Sequence, residues 1–490
     1  GYGSNMSEEY MKEYAPSLEY VMNARLPNYE IQFRKYSTNM KGLLQNTGWL
    51  ENAYVKVDSE GNITNISSNS VSEHAIKIDG YALPGFQNAH SHAFQYAMAG
   101  LTEKHVSANV VPDDFWSWRE AMYSLALHVN PDQMEAIATM LYAEMARHGY
   151  TNVTEFHYLH HDKNGMPYDN IAEMGSRLIA AAKTVGIGIT LVPIFYQKGG
   201  FGQDPNERQR RFISPTIDKY LKLLDASNNA CSNYEHANIG IGIHSMRGVE
   251  PTEIMEIAKS GPQDMPFHIH VSEQLKEIED SINYLGKRPV EWLLDNVELN
   301  ERFHLVHATH LIEKEVMGIA KCQANVVLCP STEGNLGDGL FPLSKFQEAG
   351  GKWSIGTDSH IGINPFEELR ILDYGQRLIT HKRNIFYSKE QNDSGMYALE
   401  MALTTGRKAM NNYSTNFFAE GQPLNACIID ASAPLMATTS KANLASTMVY
   451  ATDPSMQLGS IAYGKMSLDS LAYNNIKQQF LMTMRELKNR

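Results

Sequence analysis

From residue 81 onward the chain alternates between two textures. Short β-rich runs end in polar residues, and longer stretches such as "PDQMEAIATMLYAEMARHG" repeat apolar residues at helical spacing. Eight runs of the first kind stand out: "GYALPGFQNAH", "TNVTEFHY", "GITLVPIFY", "NIGIGIHSM", "PFHIHVSE", "FHLVHAT", "NVVLCPS" and "KWSIGTDS". A strand followed by a helix, eight times over, is the pattern that closes a parallel barrel, because each helix carries the chain back outside the sheet to start the next strand. The expected fold is α/β: a (β/α)8 TIM barrel over 81–412.

The flanks read differently. "GWLENAYVKVDSEGNITNISS", 48–68, alternates apolar and polar residues around a Glu-Gly-Asn turn, a hairpin signature. After 413 the runs "NACIIDAS" and "STMVYAT" are again short and β-like, and helices are expected to be rare until "NNIKQQFLMTMREL". Residues 41–80 and 413–490 should therefore meet as a small β-sandwich lobe beside the barrel, the latter segment ending in a C-terminal helix. Residues 1–40 form an N-terminal extension to which the sequence assigns no role.

Composition narrows the partners. The net charge of −13 lacks the Lys/Arg excess that nucleic acid or an anionic membrane surface rewards, so a small molecule is the expected partner. No run approaches the ~18 apolar residues of a membrane span, and a cytoplasmic location is expected. Cys231, Cys322, Cys329 and Cys427 show no C-x-x-C pairing, which suits reduced, mostly buried thiols. Base rates among soluble oligomers make a homodimer the expected assembly.

In such a barrel the reactive groups sit where strands run into βα loops. The first run ends in His90 and His92, the fifth in His268, His270 and Glu273, the sixth in His307, and the eighth in Asp358. Taken singly, each has an ordinary reading: an interior histidine is usually a hydrogen-bonded core residue, an isolated aspartate a turn or cap, and Glu273 a carboxylate at a helix start. Their coincidence at the ends of the first, fifth, sixth and eighth strands is not what core packing produces. Three imidazoles and one carboxylate suit Zn²⁺ with a position left for water, whose ionisation the ion brings towards neutral pH. Two arginines bear on the substrate: Arg119 in "FWSWREAMY" and Arg247 in "HSMRG", both placed to face the barrel mouth. A pair of guanidinium groups suits a dicarboxylate better than a neutral base, although either could merely bridge a surface acid.

The series H-S-H, H-I-H-V-S-E, V-H-A-T-H and T-D-S resembles the amidohydrolase superfamily, specifically its deaminase branch with one metal ion. The resemblance implies His90, His92, His270 and Asp358 as ligands of a single divalent ion, Zn²⁺ first and Fe²⁺ as the alternative. It also implies Glu273 as the group that moves the proton, with His307 and Asp358 beside the reacting water. "NIGIGIHSMR" offers no lysine to bridge a second metal. The wording of "HSHAFQYAMAGL", "DFWSWREAMY", "TEFHYLHHD", "ERQRRFI", "STEGNLGDGLFP" and "EELRILDYGQRL" is closer still to the N-formimino-L-glutamate iminohydrolase family of histidine degradation, over about 45–465. That resemblance implies Gln95, Arg119, Tyr158, His244 and Arg247 as substrate-holding residues, and hydrolysis of a formimino C=N bond. Competing readings are an aminohydrolase of purine or pyrimidine bases and a non-catalytic barrel scaffold. His157, His160 and His161 are not expected to form a second metal site, and "EGNLGDG" lacks the spacing of a phosphate loop.

Overall fold

The computed structural model describes residues 30–33, 42–45, 48–69, 75–103, 114–466 and 468–488. Its centre is a sheet of eight parallel strands: β1 (Phe86–Ser91), β2 (Tyr150–His157), β3 (Gly188–Phe195), β4 (Ile241–Ser245), β5 (Phe267–Val271), β6 (Phe303–His307), β7 (Asn325–Leu328) and β8 (Lys352–Ile355). The strands pair in chain order, and nearly every strand residue is buried, as a sheet covered on both faces requires. The sheet closes just beyond β8. His90 O accepts from Thr357 N at 3.1 Å and Asp358 N at 3.0 Å, and Asp358 O accepts from His92 N at 3.2 Å. Asn88 reinforces this seam, donating to Thr357 Oγ1 at 2.7 Å and accepting from Thr357 N at 3.0 Å. The chain forms a (β/α)8 barrel, as its eight runs led one to expect.

Two of those runs are divided. "GYALPGFQNAH" becomes Gly80–Pro84, which belongs to the small lobe, and β1. The break falls where Pro84 has no N–H for a ladder and where a side chain on Gly85 would meet Thr151 Cγ2 at 2.3 Å, so only glycine lets the chain turn past β2. "NIGIGIHSM" likewise splits at Gly240 into Ala237–Ile239 and β4.

The lobe is two sheets. One runs 63–68, 53–57, 30–33, 76–78, and the other 465–466, 457–462, 426–430, 80–84, 42–45, 48–51. Val55, Val57, Ile63, Ile78, Ala82, Leu424, Ala426, Ile428 and Ile461 form one apolar cluster drawn from both sheets. The 53–57/63–68 hairpin turns through Gly61 at φ +86°, matching the alternating pattern. The N-terminal extension, without a role in the sequence, supplies the strand Glu30–Phe33, antiparallel to 53–57 and parallel to 76–78. The rest of 1–40 lies outside the described residues.

One expectation for the C-terminal flank is corrected. "STMVYAT" is not a strand but most of the helix Leu444–Ala451, and Pro434–Thr438 is helical too. The helix buries Leu444, Ala445, Met448 and Val449, a spacing that repeats every four residues and so selects helix over the β preference of Val and Tyr. The final helix, Ser470–Leu487, lies against the barrel helix Pro131–Arg147, where Tyr473 hydrogen-bonds Glu144. Among the described residues no helix is long and apolar enough to cross a membrane.

Candidate active site

Ser272, His307, Ala308, Asp358 and His360 all have φ between +46° and +66°, although none is glycine. Such backbone is costly and persists only where surrounding structure enforces it. All five lie at the C-terminal ends of β5, β6 and β8, around a single point.

At that point four donor groups converge. His90 Nε2 is 3.1 Å from His92 Nε2, 3.0 Å from His270 Nε2 and 3.4 Å from Asp358 Oδ1, and His92 Nε2 is 3.2 Å from the same oxygen. A tetrahedral ion with bonds of ~2.0–2.1 Å sets its ligand atoms about 3.3 Å apart, the spacing of His90, His92 and Asp358 here. His270 joins through His90, forming a second close group with it and His307. The hydrogen-bond pattern supports a cation independently of these distances. His92 Nδ1 donates to Phe156 O at 2.8 Å and His270 Nδ1 donates to His244 O at 2.9 Å, so both rings turn Nε2 inward. Burial pulls His90 down to about pH 3 and His270 well below its usual value, which keeps them neutral. Although burial works against it, contact with His90 and His92 holds the Asp358 carboxyl well below its ordinary range. Lone pairs and a carboxylate crowded together out of water are a suitable cage for a divalent cation. Cys329 also approaches His307 and Asp358, but burial and nearby carboxylates keep its thiol protonated and poorly suited to ligation.

Beside the cage stand Glu273 and His307. Glu273 Oε1 and Asp358 Oδ2 are each 3.8 Å from His307 Nε2. Burial raises the Glu273 carboxyl above its ordinary range, the direction a proton-carrying group requires. Burial opposes the imidazolium of His307, yet Glu273, Glu333 and Asp358 together raise it to about 10. Glu333 is a residue the sequence did not single out. Its Oε1 lies 3.3 Å from His307 Nδ1 and accepts from Cys329 N at 2.9 Å, fixing the ring. Glu155 was missed as well. On the buried side of the H-x-H turn it accepts from Ser91 Oγ and Ala93 N, both at 2.6 Å, so its carboxylate straddles His92. Neither position carries a local signal, because each depends on which strand or turn lies opposite.

A cavity opens from the cage. All five residues implicated in substrate holding line it: Gln95, Arg119, Tyr158, His244 and Arg247. Gln95 Nε2 donates to Tyr158 Oη at 2.7 Å, and the Tyr196 ring stacks on His244 at 4.0 Å. Gln95 Oε1, Arg119 Nε, Arg247 Nη1 and the hydroxyl of Tyr123 are buried without a hydrogen-bond partner. Four unsatisfied polar atoms, brought to one cavity by three elements, are costly unless a ligand completes them. Tyr123 escaped the sequence reading, although it sits one helical turn beyond Arg119 on Phe115–Ala126 and so shares its face.

Other histidines are not brought here. His268, on the same face of β5 as His270, stacks instead on His304 at 4.7 Å. His160 and His161 are engaged by Ile194 O and Ile213 O, and they join no candidate ion-holding group among the described residues.

The amidohydrolase family model matches residues 81–462. The chain belongs to the amidohydrolase family. It is 41% identical over 392 residues to formimidoylglutamate deiminase of Pseudomonas aeruginosa, covering 80% of this chain and 85% of that one. A crystal structure of an amidohydrolase from Brucella melitensis is 36% identical and superposes with a TM-score of 0.83 over 94% of this chain and 99% of that one. A zinc-bound adenosine deaminase from Xanthomonas campestris, 19% identical with a TM-score of 0.72, covers 94% of this chain and 99% of its own, and shares the fold alone.

Proposed function

We propose that this chain hydrolyses N-formimino-L-glutamate to N-formyl-L-glutamate and ammonia, a step of histidine degradation. The observation that carries the reading is the pairing of the four-donor cage with a cavity lined by two arginines, each with a buried N–H that has no hydrogen-bond partner. His90, His92, His270 and Asp358 hold one divalent ion, Zn²⁺ being preferred over Fe²⁺ because a set of three imidazoles and one carboxylate suits it. Such an ion supplies Lewis acidity, making water acidic enough to act as a nucleophile near neutral pH.

The residues of the chain do the rest. Glu273 removes a proton from the attacking water as its oxygen bonds to the formimino carbon and the C=N double bond becomes single. It hands that proton to the nitrogen; the hydroxyl proton of the adduct then passes through the same carboxyl to that nitrogen, the carbon–oxygen double bond forms, the carbon–nitrogen bond breaks, and ammonia leaves. His307, held by Glu333, faces Glu273 and Asp358 and stabilises the charge that develops on the oxygen. Arg119 and Arg247 receive the two carboxylates, and Gln95, Tyr158 and His244 orient the chain between them. A neutral purine or pyrimidine would offer these N–H groups no carboxylate to bind, which disfavours the aminohydrolase reading. The proposed setting is a cytoplasmic homodimer, the commonest arrangement for soluble metabolic enzymes.

The test is ammonia release from N-formimino-L-glutamate beside N-formiminoglycine and guanine. The first should be preferred by orders of magnitude. Arg247→Ala should lower kcat/KM for it by roughly a hundredfold, with bound metal unchanged. Preference for guanine, or indifference to Arg247→Ala, would overturn the reading.

A further inference from the structure

Glu277 is buried, 1% exposed, in the first turn of the helix Leu275–Leu285, and none of the roles above uses it. Its two oxygens have different duties. Oε1 accepts from Ser272 N at 3.1 Å. Oε2 accepts from Glu273 N at 3.1 Å and lies 3.4 Å from Arg247 Nη1, an ion-pair distance without hydrogen-bond geometry. Ser272 is the residue that must hold φ +53° for the chain to turn from β5 towards Glu273. An L-residue keeps that conformation only when something outside it insists, and the Glu277 carboxylate grips the amides on both sides of the Ser272 Cα. An acid this deeply buried is itself costly, and the guanidinium opposite is the charge that offsets it.

We infer that Glu277 is a positioning residue that couples substrate recognition to proton transfer: one carboxylate orients both the guanidinium that receives the substrate's acid group and the backbone that aims Glu273. The inference rests on the functional reading above, since it takes Arg247 as a carboxylate receptor and Glu273 as the proton carrier. It makes the spacing between the acid end and the reacting end of the substrate a property of this side chain. A helix-start acid with only a local stabilising role would affect folding and leave both kinetic constants of the folded enzyme alone.

The experiment is steady-state kinetics of the metal-loaded enzyme on N-formimino-L-glutamate and on formamidine, which has the reacting group without a carboxylate. Glu277→Gln removes the charge that orients Arg247 and places an N–H₂ among the amides. For N-formimino-L-glutamate, KM should rise roughly tenfold from the lost charge contact. The kcat should fall roughly a hundredfold from misaimed Glu273, for both substrates. In an Arg247→Ala background the same change should leave KM where Arg247→Ala alone puts it while still lowering kcat. Ser272→Gly gives a second handle: glycine adopts φ +53° freely, so Ser272→Gly should restore part of the kcat of Glu277→Gln and none of its KM. If Glu277→Gln does not fold, Glu277→Asp, which keeps the charge one methylene short, is read by the same split and the same glycine rescue. Wild-type constants in a folded Glu277 variant, a KM effect that persists without Arg247, or no rescue by glycine would each overturn the coupling. A wild-type enzyme inert towards N-formimino-L-glutamate would instead overturn the functional reading, and this inference with it.

Discussion

Gly356 shows how tightly single residues are held around the cage. A Cβ there would lie 2.7 Å from His90 Cβ and 2.9 Å from both His90 N and His90 O, so it would press on backbone that cannot swing aside. Overpacking of this kind costs ~1–3 kcal/mol, and here relief requires moving the strand that carries His90 and His92. Gly356→Ala should therefore fold with a lowered melting temperature and bind clearly less metal per chain, measured by elemental analysis. Full metal occupancy in that variant would contradict this account. The cage residues were legible in the sequence because strand alternation places His90 beside His92, and His268 beside His270, on one face. Alternation did not tell His270 from His268, since both point inward. What separates them is height along β5: His270 reaches the rim, whereas His268 stacks on His304. Glu155, Glu277 and Glu333 were not legible in their roles, because each acts on a backbone or ring that only the closed barrel brings near.

Among elements, the barrel strands announced themselves because burial on both faces demands near-continuous apolar runs. The helix Leu444–Ala451 did not, being too short for its four-residue repeat to outweigh its β-branched and aromatic residues. Gly80–Pro84 and β1 read as one strand because nothing local reveals that a chain changes sheets at a glycine. Between elements, Glu368 of the helix Pro365–Thr380 accepts from Ser331 N at 2.9 Å and Ser331 Oγ at 2.5 Å, joining it to Pro330–Leu336. Burial, against the pull of those bonds, raises its carboxyl from 4.5 to about 8. The folded form thus keeps a proton that the unfolded chain gives up. The stability this group contributes is full below about pH 4.5 and is lost as pH rises through about 8. Glu368→Gln, neutral at every pH, should flatten the fall in melting temperature between pH 5 and pH 9. An unchanged slope would show that Glu368 ionises as an ordinary surface acid does.

For the molecule as a whole, the ion and the fold should be linked. Four donor groups turned towards one another in a water-poor space repel or go unsatisfied without a cation, so removal by a chelator should lower the melting temperature by roughly 5 °C, reversed by added zinc. A melting curve indifferent to chelation would mean that the cage is satisfied by protons alone. The closing seam, where His90 O bonds Thr357 N and Asp358 N and where Asp358 O bonds His92 N, is built from the same stretches of chain that carry three of the four donor groups proposed to hold the ion. A cylinder fastened by its own reactive groups cannot lose its cargo without loosening its last stitch. Amide protons of Thr357 and Asp358 should then exchange with solvent sooner than those at any other strand junction once the ion departs, and a substitution that strains the cylinder far away should announce itself first as a leaking metal.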